Sequence, residues 1–338
     1  METVWFIILG VLLGVYILLD GYELGGGMVY LFFTENDEEK KKVLKSIRSI
    51  WDANEVWLIA FAVLSYLIFP EFFQTVYNHL KGLIYVFIFV FVLNILLQNL
   101  IYALFDKGFR KYLDVLYGLA NFVLVGLLGL IIALLIRGGI VEDMPLWSEK
   151  FSPLTRKPGF LDWFTMIFIV FFYIVILLQG LGWIVHKASG ALGRKLKFKI
   201  KKLAWIGMVV LILLVAVMYF VHTDMYRNFY VYPVLFIFPV LMLSSLSALV
   251  LIRTYQKDNK GFLLATNLFI YFWIGLMIIS YPFLIHPTAY HPGISVFETG
   301  FRPLKEYKLE WWVIGIALSL LIYSILIHKY YKGKGMLE

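Results

Sequence analysis

The stretch Leu9-Gly10-Val11-Leu12-Leu13-Gly14-Val15-Tyr16-Ile17-Leu18-Leu19-Asp20-Gly21-Tyr22-Glu23-Leu24-Gly25 decides the fold class. It lies inside an apolar run at 4–32, long enough as a helix to cross a bilayer core of about 30 Å. Two carboxylates interrupt the run, and an ionised side chain is costly there, so they imply a task. Working outward, further apolar runs lie near 51–69, 82–105, 113–136, 161–185, 203–222, 230–252, 262–285 and 310–331. None has the roughly ten-residue alternating pattern of barrel strands, and helices satisfy every backbone group within the segment. The expected fold class is all-α: a polytopic membrane helical bundle of about nine transmembrane helices.

Composition agrees. Hydrophobic residues make up 62% of the chain and charged residues 15%, with a mean hydropathy of +0.84, which excludes an ordinary soluble domain. There is no cysteine, so disulfides, thiolate metal sites and cysteine-ligated iron–sulfur clusters are excluded within this chain. Met1-Glu2-Thr3 offers no basic leader and no small-residue cleavage site follows, so the first run is expected to be an uncleaved span.

Lys and Arg set the expected orientation. They concentrate after the first, third, fifth and seventh runs and in the tail, including Lys40 to Lys42, Arg110, Lys111, Arg194, Lys195, Lys257 and Lys332. This places the N-terminus outside and the C-terminus in the cytoplasm. The basic run from Arg194 to Lys202 reads as a topology determinant beside anionic lipid, and no nucleic-acid partner is expected.

A short internal echo suggests a repeat. Leu18-Leu19-Asp20-Gly21 with Gly25 and Gly26 is matched by Leu177-Leu178-Gln179-Gly180 with Gly182. The expected organisation is a four-helix unit at 1–137, an external loop at 138–160, a second four-helix unit at 161–285, an external loop at 286–309, and a ninth helix with a cytoplasmic tail at 310–338.

On a helix Gly10, Gly14, Gly21 and Gly25 form one stripe suited to close packing, and Asp20 and Glu23 fall roughly opposite. In Trp51-Asp52-Ala53-Asn54-Glu55-Val56-Trp57-Leu58, Asp52 and Glu55 share a helix face at i and i+3. Asp52 is also placed to cap that helix, and Trp51 and Trp57 to anchor at the interface. Asn94, Gln98, Asn99 and Asn121 are expected at similar depth, so polar groups converge in the cytoplasmic half and resemble a half-channel for protons.

Together these two strings resemble the paired signatures of subunit II of cytochrome bd quinol oxidases. Gln179-Gly180 with Trp183, Lys187, Gly190, Leu192 and Arg194 is similar to that family's fifth helix and following loop, and Tyr281-Pro282-Phe283 to the end of its eighth. The resemblance implies a complex that oxidises quinol and reduces dioxygen to water with protons from the cytoplasm. It places haems b and d in a partner, subunit I, and gives this chain a supporting role in proton uptake. Asp52 maps onto the implicated acid, with Glu55, Asp20 and Glu23 as relay groups and Trp51, Asn54 and Trp57 as motif support. The chain departs from the pattern at Ala53, where the family has Gly, at 97–105 and at 286–293.

The resemblance implies no catalytic residue and no metal or haem ligand in this chain. His79, His186, His222, His286, His291 and His328 all fall at span ends or in loops, and surface or capping roles are expected for them. It also implies quinol and lipid as partners and a bacterial or archaeal cytoplasmic (inner) membrane. A bound quinone, a small accessory subunit and dimerisation are left open. A stand-alone secondary transporter with an acidic cation site is the alternative, and a purely structural scaffold a third.

Overall fold

The computed structural model describes residues 2–48, 54–103, 110–138, 140, 161–188, 190–252, 260–288 and 291–298. Asp52, Trp51, the ninth run at 310–331 and most of both expected external loops lie outside the described residues.

The described chain is a multi-pass helical bundle. Its helices are α1 (Glu2–Phe32), α2 (Asp37–Arg48), α3 (Glu55–Ile68), α4 (Pro70–Ala103), α5 (Arg110–Arg137), α6 (Trp163–Lys187), α7 (Ala191–Val221), α8 (Arg227–Val231), α9 (Ile237–Val250) and α10 (Lys260–Ser280). Strands β1 (Phe283–Ile285) and β2 (Ile294–Ser295) pair antiparallel after α10. Among the described residues seven helical segments are long and apolar enough to cross a membrane, and α3 is a shorter apolar helix. The end of the bundle bearing the basic loops is called inner below, the other outer.

Several boundaries differ from expectation. The third span starts at Pro70, directly after Phe69, not near 82. Its 34 residues span about 51 Å, so the polar stretch 70–81 continues the helix. Pro70 suits a first helical turn, where its missing N–H removes no hydrogen bond. The seventh span begins with a 3-10 turn at Pro233–Phe236. The eighth ends at Ser280, because Phe283–Ile285 joins the hairpin.

Packing is symmetric under an exchange of the two halves. Helix α1 packs on α3, α5, α6 and α10, while α6 packs on α7, α10, α1 and α5. The pairs α3–α4 and α4–α5 have counterparts in α7–α9 and α9–α10. Helices α1 and α6, which carry the internal echo, meet at the centre.

That meeting depends on glycine. A Cβ at Gly25 would stand 2.3 Å from the Ile176 carbonyl oxygen, and one at Gly180 would stand 2.2 Å from the Gly25 carbonyl carbon. Gly21 faces the Gln179 side chain. Gly10 and Gly14 lie against Met277 and Trp273 of α10, and Trp273 Nε1 donates to Gly10 O at 2.8 Å. The glycine face of α1 is thus divided between α10 at its outer half and α6 at its inner half.

The basic segment after the first run, which has no apolar run of its own, forms an amphipathic helix, α2, on the inner face. Val43, Leu44 and Ile47 are buried, and Ile47 fills the notch at Gly26. Trp183 Nε1 donates to Ser46 O at 2.8 Å, and Lys195 pairs with Glu35 at 2.8 Å and Glu39 at 2.9 Å. Burial alone pushes the Glu39 carboxyl up, but the Lys195 ammonium and the Glu35 N–H outweigh it and hold it below its ordinary range.

Candidate functional site

A helix advances 100° per residue, so positions 16, 20, 23, 27 and 30 of α1 share one face, opposite the glycine stripe. In this chain that face carries Tyr16, Asp20, Glu23, Gly27 and Tyr30, all buried. It is a polar line buried along the inner half of α1.

The line faces α3 at its outer steps and α5 at its inner ones. The surroundings of Tyr16 and Asp20 include Glu55, in the first turn of α3, and Glu23 also lies near the Tyr16 hydroxyl. At Gly27 a Cβ would stand 2.3 Å from the Asn121 side chain of α5. Asn121 Nδ2 donates to Asn94 Oδ1 of α4 at 3.0 Å and to Tyr117 O at 2.7 Å. Tyr30 donates from its hydroxyl to Asp114 Oδ1 of α5. Asp114 is buried, and its other oxygen accepts from Lys40 of α2 at 2.7 Å. Arg110 lies 3.6 Å from Asp114 and 3.3 Å from Asp37, closing the inner end.

The structure therefore brings Asp20, Glu23 and Glu55 into one neighbourhood, with Asn94 and Asn121 farther inward on the same line. Asn99 does not join them. It is exposed near the inner end of α4, and its side chain donates to Ile95 O at 2.8 Å, a correction to its expected convergence. Gln98 is fully buried. Asn54 and Trp57 are also buried, so Trp57 is not an interfacial anchor in this chain alone. Asn54 precedes α3 without a side-chain capping bond. Trp51 and Asp52 lie outside the described residues, and so does the expected cap from Asp52.

Polar atoms left over within α1, α3, α4 and α5 mark this interior as hydrophilic. Among the described residues the Tyr16 hydroxyl, Asp20 Oδ2, Asn54 Nδ2, Ser65 Oγ, Asn121 Oδ1 and both amide atoms of Gln98 are buried without a hydrogen-bond partner. Burying such groups in an apolar medium is unfavourable, which favours their hydration or use in transfer. The second half also leaves buried polar atoms without a hydrogen-bond partner, Thr165 Oγ1 and both amide atoms of Gln179, but its interior is largely aromatic. Phe168, Phe171, Phe172 and Phe272 stack there, and Gln179 and Gly182 occupy the places that echo Asp20 and Glu23.

A second charged cluster, missed from sequence, closes the outer end. Asp162 caps α6 by accepting from Thr165 N at 2.7 Å. Its Oδ2 pairs with Arg137 of α5 at 2.7 Å and lies 3.6 Å from His222 Nε2 at the end of α7. Burial alone pushes the Asp162 carboxyl up, but the neighbouring His222 ring, the Arg137 charge and the Thr165 bonds outweigh it and hold it well below the ordinary carboxylate range.

The described histidines are spread over the chain, and most make local contacts. His79 Nδ1 bonds Thr75 O, His286 Nε2 bonds Ile279 O, and His291 Nδ1 accepts from Gly293 N. His186 stacks on Phe262. His222 is buried at the end of α7 and His286 just after β1, neither of them on the surface. Among the described residues no group of three or more His, Asp or Glu is arranged to hold a metal ion.

Comparison with known proteins gives a consistent set of likenesses. The family model described as cytochrome bd terminal oxidase subunit II matches residues 1–331. A Bacillus subtilis protein named cytochrome bd ubiquinol oxidase subunit 2 is 35% identical over 75 residues, 22% of each chain. The Escherichia coli K12 protein named cytochrome bd-I ubiquinol oxidase subunit 2 is 39% identical over 59 residues, 18% of this chain and 16% of that one. The aligned stretch thus spans about a fifth of these curated relatives. The solved structure of bd oxidase from Geobacillus thermodenitrificans aligns over 98% of both chains with a TM-score of 0.67 and 14% identity, a likeness of fold.

Proposed function

The chain belongs to the cytochrome bd terminal oxidase subunit II family, and from that premise we propose that it serves a quinol:oxygen oxidoreductase as the subunit that ligates no haem. The complex oxidises quinol and reduces dioxygen to water by four electrons in a bacterial or archaeal cytoplasmic membrane. A haem-bearing subunit I carries haems b and d and the redox chemistry. This chain packs beside it in lipid and supplies a route for protons from the cytoplasm.

The observation that carries the proton role is the buried polar face of α1. Asp20 and Glu23 sit at successive turns within the inner half, Glu55 of α3 lies within electrostatic reach of Asp20, and Asn121 with Asn94 continues the line inward. Carboxyl groups one helical turn apart pass a proton by alternate protonation, with amides and waters bridging between them. Asp52, three residues before Glu55, is the proposed point of uptake; Trp51, Asn54 and Trp57 support that helix start.

The transporter reading calls for helices broken by Gly or Pro in both halves and matched acids. Helix α1 runs unbroken through Gly25, Gly26 and Gly27, and Gln179 and Gly182 replace the acids in the second half. Both observations favour the oxidase reading.

The test is gentle purification of the native protein followed by a reduced-minus-oxidised spectrum. Haem b and d bands travelling with a second large membrane subunit are expected, together with slowed oxygen reduction in an assembled Asp52→Asn complex. A colourless chain that remains alone and transports a cation would replace this reading. Unchanged turnover in Asp52→Asn with normal haem content would remove that residue's proton role.

A further inference from the structure

Tyr16 ends the polar face of α1 at its membrane-centre side. Outward of it the same face continues with Leu12 and Leu9, both buried and apolar. Tyr16 is 0% exposed, one helical turn from Asp20, and its hydroxyl lies within electrostatic reach of Asp20, Glu55 and Glu23. Neither that hydroxyl nor Asp20 Oδ2 has a hydrogen-bond partner among the described residues.

Packing alone does not call for a phenol here. Phenylalanine would fill nearly the same volume without burying a hydroxyl. The internal echo supplies an independent comparison within the chain. Aligning Leu18-Leu19-Asp20-Gly21 with Leu177-Leu178-Gln179-Gly180 sets Tyr16 against Val175. Where the acid is missing from the second half, the hydroxyl is missing too.

We propose that Tyr16 is the positioning residue for Asp20, its hydroxyl donating to the Asp20 carboxyl and fixing that group at the inner limit of the apolar half of α1. This inference rests on the proton-uptake reading. Asp20 gains one proton from the inner side and releases one to the path toward the haem-bearing partner. Tyr16 keeps its own proton throughout and no electron moves. Without the hydroxyl the carboxyl samples several rotamers and spends less time oriented for transfer, as any misplaced transfer group does.

The experiment uses the complete heterodimer as wild type, Tyr16→Phe and Asp20→Asn, each checked for haem content. Oxygen consumption is measured together with the carboxyl region of the reduced-minus-oxidised infrared difference spectrum. Asp20→Asn is expected to remove one carboxyl band. Tyr16→Phe is expected to retain that band at higher frequency, reflecting loss of a hydrogen bond to the carbonyl, and to slow turnover roughly tenfold. An unchanged band and turnover in Tyr16→Phe, with Asp20→Asn slow, would overturn the positioning role and leave the proton route standing. Wild-type turnover in a haem-replete Asp20→Asn complex, or no band that this substitution removes, would overturn the inference at its foundation.

Discussion

Gly25 of α1 and Gly180 of α6 meet backbone to backbone, with a Cβ at Gly25 only 2.9 Å from the Gly180 nitrogen. No side chain yields at this crossing, so relief requires the two helices to move apart. Gly25→Ala or Gly180→Ala is expected to destabilise the subunit by about 1–3 kcal/mol. Thermal unfolding of the purified complex and its haem yield would show the loss. Unaltered values would mean that the helices tolerate separation.

The outer cluster gives a pH-dependent prediction. Folding depresses the Asp162 pKa below the unfolded value of about 3.9, so its stabilisation is present above that value and disappears as pH falls through the folded value. Asp162→Asn leaves Arg137 buried without this partner charge and is expected to cost about 3 kcal/mol at neutral pH. The gap between wild type and variant should persist down to about pH 5 and close in stronger acid. Unfolding midpoints measured across that range check this, and a gap that widens in acid would contradict it.

Helix α2 precedes the Asp52 segment and is tethered from α6. Trp183→Phe removes the indole donor to Ser46 O while keeping most of the ring packing. A loss of about 1 kcal/mol, or roughly fivefold faster amide exchange across 43–48, is expected. Exchange equal to wild type would show that Ile47 in the Gly26 notch and the Lys195 pairs hold the helix unaided.

His286 is engaged in a local contact, with Nε2 on Ile279 O at 2.9 Å. His286→Ala is expected to lower stability while leaving every haem band in place. Loss of a band would give this chain a ligand role that its geometry does not suggest.

Much of this was legible from sequence because the bilayer demands long apolar helices, and their order follows from the runs. The two acids of α1 and the glycine stripe opposite them could be placed by helical period alone. Helix α2 was not legible as a helix: its eight charged residues, Asp37, Glu38, Glu39, Lys40, Lys41, Lys42, Lys45 and Arg48, masked an apolar set, Val43, Leu44 and Ile47, in only three turns. The start of α4 at Pro70 was hidden because a helix leaving the membrane becomes polar without ending. Asn99 was placed by depth, and depth does not specify which way a side chain turns. The Asp114 and Asp162 clusters join residues 74 and 25 positions apart, Lys40 with Asp114 and Arg137 with Asp162, and only the packing of α2, α5 and α6 brings them together.

The central claim is that protons reach the oxygen chemistry through the polar face of α1. Its most direct test is the rate of proton uptake from the inner side during oxygen reduction by haem-replete Asp20→Asn complex reconstituted in liposomes. The account predicts uptake slowed on the order of 100-fold relative to wild type, with oxygen consumption slowed in parallel. Uptake at the wild-type rate, with haem content unchanged, would contradict it.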